Sequence, residues 1–163
     1  MEQPMTTPSS PGRILISRWR RLSALPGGRL LFSRLVGRMA PYTGTIQPRV
    51  VELAPAYAKV QMRDRKRVRN HLNSIHAIAL VNLAEVTSGL AFAAALPEDA
   101  RSILTGISIE YLKKARGLLT AECACPVPES NEERDYEIHA TIQDEAGDVV
   151  ARATARWRVG PRR

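Results

Sequence analysis

The feature that most constrains the fold of this chain is a long apolar segment in its middle, residues 75–96, which is rich in Ala and Leu. The segment is too long for a single strand, so it predicts a helix, and a helix that is apolar nearly all round has to be buried. Asn73 and Ser74 are the expected N-caps, and Pro97 ends the helix. The chain lacks an apolar run of about 18 residues, so a membrane-spanning helix is excluded.

The segments on both sides of the predicted helix alternate apolar and polar residues, which is typical of strands with one covered face. Two strands before the helix and a four-strand meander after it predict an α+β fold, in which an antiparallel sheet curls around the long central helix. The apolar faces of the strands are expected to be Ala58, Val60 and Met62; Ile103, Thr105, Ile107, Ile109 and Tyr111; Leu119, Ala121, Cys123 and Cys125; Tyr136, Ile138, Ala140 and Ile142; and Ala151, Ala153, Ala155, Trp157 and Val159.

The 163 residues are expected to form one domain with an N-terminal extension. Residues 1–12 contain almost nothing to bury and are expected to be a disordered leader. Residues 13–41 predict two helices that pack on the domain, and residues 42–160 form the domain itself. A transit peptide or a membrane-surface helix is the alternative for this Arg-rich start, whereas a Sec signal is not expected.

The net positive charge comes entirely from the first part of the chain. Residues 1–70 hold 14 Lys and Arg against 3 acids, whereas residues 71–163 hold 10 against 13. Such a basic half indicates a polyanionic partner (nucleic acid, a membrane surface or a phosphorylated ligand) or else a solvated basic face. The only cysteines, Cys123 and Cys125, are too few for a disulfide scaffold, and their spacing does not predict a metal site.

Within the predicted helix, Glu85 is the only charged residue between Arg69 and Glu98. Burial of a carboxylate is costly and is expected to raise its pKa. Asn82 and Gly89 fall on the same helix face, and Gly89 is expected to leave room for an approaching molecule. The alternative is that Glu85 emerges at the helix edge and is solvated.

Polar residues also gather where the predicted helix begins, namely Asn70, His71 and His76. The first turn of a helix offers unpaired N–H groups and a partial positive charge, which suit an oxyanion. A histidine beside a helix cap is also a common structural hydrogen-bonding residue, so both interpretations of His76 remain. The residues alone therefore indicate a buried carboxylate on a helix whose start can bind an oxyanion.

The stretch from Asn70 to Gly89, NHLNSIHAIALVNLAEVTSG, resembles the active-site segment of hotdog-fold acyl-CoA thioesterases of the phenylacetate-pathway and 4-hydroxybenzoyl-CoA types. Those enzymes carry Asn or Gln, then His six residues later, then Asp or Glu nine residues after that, as Asn70, His76 and Glu85 do here. The segment GISIEYLKKARG is similar to the family's next strand, and FSRLVGRMAPYTGT to the lead-in of a less characterised subgroup. The resemblance covers about residues 42–160 and implies the hotdog fold. It departs where the family often has His-Gly-Gly, because Ala77 and Ile78 follow His76 here, and where some members carry Thr in place of Gly89.

The resemblance implies thioester hydrolysis, in which Glu85 activates water as a general base or attacks the carbonyl directly. The N–H of Ala77 would receive the oxyanion, Asn70 would bind the carbonyl or the water, and His76 would order the turn. The site in such enzymes lies between two subunits, and Thr105 of the partner chain is the candidate for an assisting hydroxyl.

The resemblance also implies a ligand for the basic residues, namely coenzyme A, whose phosphate groups are bound by Arg and Lys side chains. The candidates are Arg65, Arg67, Arg69, Lys113, Lys114 and Arg116. Coenzyme A is expected only as part of the substrate, with no cofactor and no metal. The protein is expected to be a homodimer or a dimer of dimers in the cytoplasm.

Two alternatives to a thioesterase remain. The first is a hotdog dehydratase or hydratase, although the spacings typical of those enzymes are not evident. The second is a module without catalysis that binds acyl-CoA or nucleic acid. Nucleic acid is the less expected ligand because aromatic residues make up only 5% of the chain and do not interleave with the basic ones.

Overall fold

A computed structural model describes residues 10–162, so the first nine residues of the predicted leader lie outside the described residues. The elements in chain order are α1 (Pro11–Ser23), α2 (Gly28–Met39), α3 (Pro41–Gly44), β1 (Arg49–Ala54), β2 (Tyr57–Met62), a short 3₁₀ turn (Lys66–Val68), α4 (Ala77–Ala93), β3 (Ala100–Tyr111), β4 (Leu119–Ala124), β5 (Arg134–Gln143) and β6 (Val149–Pro161).

The six strands form one antiparallel sheet in the order β1-β2-β4-β5-β6-β3. Helix α4 connects β2 to β3 and packs against all six strands, so the sheet curls around it. This arrangement confirms the predicted α+β fold with a central helix and additional N-terminal helices. The core contains most of α4 and the inward faces of the strands, including Phe92, Met62 and Ile138.

Helix α4 is shorter than the sequence predicts, and its N-cap is His76 instead of Asn73 or Ser74. The two residues before Ala77 are held by the surrounding chain, because Ile75 N–H donates to the Ala115 carbonyl and His76 N–H donates to the Val68 carbonyl. These bonds keep the backbone extended up to His76. The helix therefore begins later, although the segment remains apolar.

The alternation predicted for the strands is confirmed in β2, β4, β5 and β6, but it is wrong in the first half of β3. Residue Thr105 is an extra residue between Leu104, which pairs with Trp157, and Gly106, which pairs with Arg156. Such a β-bulge exchanges the two faces of a strand. Leu104 and Ile107 therefore pack on the core, whereas Ile103 lies opposite Arg158 and is 61% exposed.

The N-terminal helices pack on the domain through small residues and hydrogen bonds. In α1, Gly12 lies so close to the end of α4 that a Cβ atom there would be 2.6 Å from the Ala93 carbonyl oxygen. In α2, the buried Ser33 hydroxyl donates to the Arg29 carbonyl and accepts from the N–H of Val50. Because β1 is an edge strand, this bond lets α2 cover that edge. None of the helices within residues 10–162 combines the length and apolarity needed to cross a membrane.

Replacing Ser33 by Ala is expected to lower the free energy of unfolding by about 1–3 kcal/mol, because the buried N–H of Val50 loses its acceptor. Urea unfolding of the purified protein measures this change. Ser17→Ala, at an exposed position on α1, is the matched control and should remain within about 0.5 kcal/mol of the wild type. Equal stabilities of the two variants would show that the Ser33 bond does not hold α2 to the sheet.

Candidate active site

Glu85 lies on the one incompletely covered stripe of α4. The stripe begins at Ile78, which is exposed, and continues through the partly buried Val81, Glu85 and Gly89. The other sides of the helix are in the core. Among the described residues, no side chain or backbone group forms a hydrogen bond or ion pair with the Glu85 carboxylate, and burial raises its pKa above the ordinary glutamate value. Glu85 is therefore a half-buried acid without a protein partner, and it is not fully solvated.

The neighbours of Glu85 on the helix have structural roles. Asn82 donates from Nδ2 to the carbonyl oxygen of Tyr42, which fixes α3 against α4. Gly89 faces Trp157, because a Cβ atom at Gly89 would lie 3.2 Å from the indole ring. The expectation that Gly89 leaves room for an incoming molecule is therefore wrong, since Trp157 fills that space. The same contact shows that the stripe faces the β6–β3 side of the sheet.

The start of α4 leaves one backbone amide available. Nδ1 of His76 accepts from the N–H of Ile78 at 3.1 Å, so the imidazole caps the helix. The carbonyl of His76 accepts from Ala79 and Leu80. Within residues 10–162, the N–H of Ala77 donates to no acceptor of the protein. The first turn therefore keeps a free donor at the residue that the sequence predicts for the oxyanion.

Asn70 presents a second free donor beside this turn. Its Oδ1 accepts from the N–H of Leu72, the N–H of Ser74 and the Ser74 hydroxyl, at 2.9, 3.2 and 3.1 Å. Because backbone N–H groups require an acceptor, these bonds identify Oδ1 and leave Nδ2 as a donor. The carboxamide thus orders the loop before α4 with its oxygen while its NH₂ group remains available.

Asn70 and Ala77 line one cavity of about 350 Å³ at the start of α4. The wall opposite them is formed by Tyr111, Lys113 and Lys114 from the end of β3 and the residues after it. Glu85 does not line this cavity. The structure therefore brings the predicted oxyanion donors and two of the predicted phosphate-binding residues together, and it leaves the predicted base outside.

The separation between Glu85 and Ala77 follows from helix geometry. Eight residues separate them on α4, and each adds about 1.5 Å, so their backbones lie about 12 Å apart along the axis. A single thioester carbonyl cannot reach both the Glu85 carboxylate and the Ala77 amide of one chain. One chain therefore holds the two halves of the predicted site apart.

Thr105 lies in the β3 bulge and is exposed, and its hydroxyl donates to the carbonyl of Arg156 in the same chain. This places Thr105 at the surface of the edge strand, away from the cavity at the start of α4. Sequence periodicity does not reveal this placement, because the bulge changes the direction of the side chains.

The predicted phosphate-binding residues do not surround a single site. Arg69 pairs with Asp64, and Lys113 pairs with both Asp144 and Asp148, so these two charges have partners in the chain. Asp64 and Asp144 carry lowered pKa values because the paired cations stabilise their ionised forms.

The other members lie in different places. Lys114 lines the cavity with Asn70, whereas Arg67 and Arg116 are exposed on nearby loops. Arg65 donates to the carbonyl of Thr45 and lines a different cleft. Only some of the six cations that lie near the helix in sequence therefore lie near the cavity in the structure.

Cysteine and metal chemistry are not indicated in the described part of the chain. Burial raises the pKa of Cys123 to about 12 and that of Cys125 to about 11, so both thiols are protonated at neutral pH. Within residues 10–162, His, Cys, Asp and Glu form no cluster of three or more that would hold a metal ion.

Solved structures share this fold over most of the chain. A structural-genomics protein designated APC5556 is 29% identical, with a TM-score of 0.79, covering 91% of this chain and 99% of its own. The Pseudomonas aeruginosa protein PA5026, described as a probable thioesterase of unknown function, is 21% identical with a TM-score of 0.73, covering 85% and 97%. The Haemophilus influenzae thioesterase HI1161 is 16% identical with a TM-score of 0.67, covering 77% and 88%.

These likenesses confirm the predicted hotdog fold. The chain belongs to the family described as Domain of unknown function (DUF4442), whose model matches residues 28–159. No curated protein matches the chain. The family match includes α2, the central helix and the sheet except for the last two residues of β6, so it contains every candidate site residue.

Replacing Glu85 by Gln is expected to change how stability depends on pH. Burial raises the pKa of the folded carboxyl, so its favourable contribution is complete below the unfolded pKa and is lost as the pH rises through the folded pKa. From about pH 4 to neutral pH, the free energy of unfolding of the wild type should fall relative to that of the variant, as measured by urea unfolding at a series of pH values.

Glu129→Gln, in the exposed loop between β4 and β5, is the control and should follow the wild-type pH dependence. A constant difference between Glu85→Gln and the wild type at every pH would contradict a raised pKa at Glu85.

Proposed function

We propose that this protein is a thioesterase that hydrolyses acyl-CoA to a free acid and coenzyme A. The observation that carries the proposal is the half-buried Glu85 carboxylate, which has no partner among the described residues and a raised pKa. A carboxyl group whose pKa is raised by burial is a stronger base than an ordinary glutamate, which suits it to taking and returning a proton. The thioesterase fold relatives support the same reaction class.

In the general-base route, Glu85 removes a proton from water as the water oxygen attacks the thioester carbonyl. The oxyanion accepts hydrogen bonds from the N–H of Ala77 and from Nδ2 of Asn70, which have no acceptor in the described chain. The C–S bond then breaks, and the thiolate takes the proton from Glu85. In the nucleophilic route, the carboxylate itself attacks the carbonyl, the C–S bond breaks to release the thiolate, and water then hydrolyses the resulting mixed anhydride to the free acid and the Glu85 carboxyl group.

The separation of about 12 Å between Glu85 and Ala77 leads us to propose that two copies of the chain complete each site. β3 is a long edge strand of twelve residues, and no strand among residues 10–162 pairs with its outer side. A second copy of β3 would cover this edge and bring its own α4 beside the first. Glu85 of one copy would then face Ala77 and Asn70 of the other, in a homodimer or a dimer of dimers.

Binding of the coenzyme A phosphates is assigned to the cations at the mouth of the α4 cavity. Lys114 lines this cavity, and Arg67 and Arg116 are exposed nearby. Arg69 and Lys113 have carboxylate partners, so their role would be weaker. Since acyl-CoA is an intracellular metabolite, we propose the cytoplasm as the place of action.

Glu85→Gln is expected to reduce thiol release from acyl-CoA at least about 100-fold while leaving acyl-CoA binding within a few-fold of the wild type, because the side-chain shape is kept and the base is removed. A thiol-release screen over short, long and aryl CoA esters identifies the substrate, and calorimetry measures binding. Glu129→Gln is the control for the loss of one negative charge and should retain full turnover.

Turnover that survives in Glu85→Gln would remove Glu85 from the mechanism. Hydration of an enoyl-CoA without thiol release, followed in the same samples, would replace the thioesterase by a hydratase. Binding of acyl-CoA or of oligonucleotides without either reaction would leave a module without catalysis.

Mixing two inactive variants tests whether the site is shared between copies. Glu85→Gln removes the base and Asn70→Asp replaces the NH₂ donor while keeping the oxygen that orders the loop. If each site combines both residues from different copies, a hybrid dimer contains one intact site, and equal mixing restores about a quarter of wild-type turnover. Sites contained within one chain would give no restoration after subunit exchange, and sedimentation analysis verifies that hybrids form.

A further inference from the structure

A second concave site lies where the N-terminal helices pack on the sheet. It is a cleft of about 680 Å³ between α2 and the outer face of the β1–β2 edge. None of the residues that line it also lines the cavity at the start of α4. The cleft is therefore a separate site within the chain.

The walls of the cleft carry five arginines and no acidic residue. They come from four parts of the chain: Arg34 and Arg38 from α2, Arg49 from β1, Arg63 just after β2, and Arg65 from the following loop. Arg65 donates to the carbonyl of Thr45, and none of the five forms an ion pair with a carboxylate among residues 10–162. Elsewhere in the chain, Arg69 and Arg158 are paired with Asp64 and Asp135.

The position of these arginines is fixed by packing. The Ser33–Val50 hydrogen bond holds α2 against β1 on the floor of the cleft. At the end of α2, Gly37 and Gly44 approach so closely that a Cβ atom at Gly44 would lie 2.6 Å from the Gly37 carbonyl oxygen. Arg49 pairs with Gln61 in the sheet register, and its exposed side chain projects from the outer face of the sheet. The cleft is therefore built by rigid elements.

Five like charges around one concave surface repel each other, and a bound polyanion relieves that repulsion. Every cation is Arg, whose planar guanidinium binds phosphate oxygens in pairs, so the chemistry favours phosphate over a single carboxylate. We propose that this cleft binds a phosphate group that carries at least two negative charges or lies among other anionic groups. The proposal does not depend on thioesterase activity.

Two sources can supply such phosphate. One is a free organic di- or polyphosphate, which fits the enclosed volume. The other is the surface of an anionic membrane, because Leu31, Leu35 and Met39 form an exposed apolar ridge along α2 beside Arg34 and Arg38. Both sources present the same chemistry to the arginines, and a two-part experiment separates them.

The test compares the wild type with the double variant Arg34→Gln/Arg38→Gln. The control is Arg18→Gln/Arg21→Gln, which removes the same charge from exposed positions on α1 outside the cleft. Calorimetry with inorganic pyrophosphate measures binding of free phosphate, and flotation with phosphatidylglycerol–phosphatidylcholine vesicles measures binding to a lipid surface. Thermal unfolding verifies that both variants fold, and thiol release is followed in parallel.

The cleft variant is expected to bind pyrophosphate, vesicles or both about tenfold more weakly, while the control changes less than about threefold. Loss of pyrophosphate binding identifies a free phosphate ligand, and loss of vesicle binding alone identifies a lipid-borne one. Equal weakening in both variants would show general charge attraction and overturn the proposal, as would the absence of binding to either probe. Thiol release should be unchanged in the cleft variant, so the result stands whether or not the protein is a thioesterase.

Discussion

The structure depends on the burial of a helix that is apolar on nearly every side. Such a helix cannot be covered by a flat layer, so the sheet has to curl until all six strands contact α4. The small residues of α4 allow this close approach, as Gly89 shows by its contact with the Trp157 ring. What remains uncovered is a single stripe, and Glu85 lies on it. The packing that buries the neighbours of Glu85 on α4 therefore leaves the Glu85 side chain partly exposed.

The chemistry of the candidate site comes from groups that the fold leaves without partners. The loop before α4 uses Oδ1 of Asn70 and Nδ1 of His76 to satisfy backbone amides, and this ordering leaves the N–H of Ala77 and Nδ2 of Asn70 as donors. The first turn of a helix leaves N–H groups without an intrahelical partner, and here one of them and the Asn70 carboxamide line the same cavity. The separation of about 12 Å between Ala77 and Glu85 is fixed by the helix itself, which is why a second copy enters the proposal.

Most of the fold follows from local patterns in the sequence. Alternation in β2, β4, β5 and β6 identifies their inward faces correctly, because the extra residues at the register shifts of the sheet, such as Thr105 in β3 and Val150 in β6, lie outside the alternating residues of these four strands. Around Thr105 the pattern fails because Ile103 and Ile107, on either side of the bulge, are both apolar although they lie on opposite faces of the strand. No local signal in the sequence marks the extra residue. The start of α4 is misplaced for a similar reason. Asn73 is a common cap, but hydrogen bonds to the carbonyls of Val68 and of Ala115, the latter distant in sequence, decide where the helix begins.

The charged residues are harder to place than the strands. The ion pairs of Arg69 and Lys113 need Asp64, Asp144 and Asp148, and only the folded chain shows that Lys113 meets two acids from the β5–β6 turn. The arginine cleft draws on four parts of the chain, so no spacing in the sequence predicts it. Total charge indicates a polyanionic partner without indicating where that partner binds.

The two edge strands of the sheet, β1 and β3, differ in whether another element of the described chain covers them. At β1, α2 covers the edge through the Ser33–Val50 bond, and the same packing forms the arginine cleft. At β3, no element of the described chain covers the edge, and the uncovered stripe of α4 faces that side. Because an exposed long edge strand favours pairing with another strand, the two edges favour different partners. A second copy suits the β3 edge, and a phosphate-bearing ligand suits the cleft beside β1. The N-terminal helices thus cover the β1 edge, and within residues 10–162 the β3 edge beside the acid-bearing side of α4 stays open for the dimer that we propose.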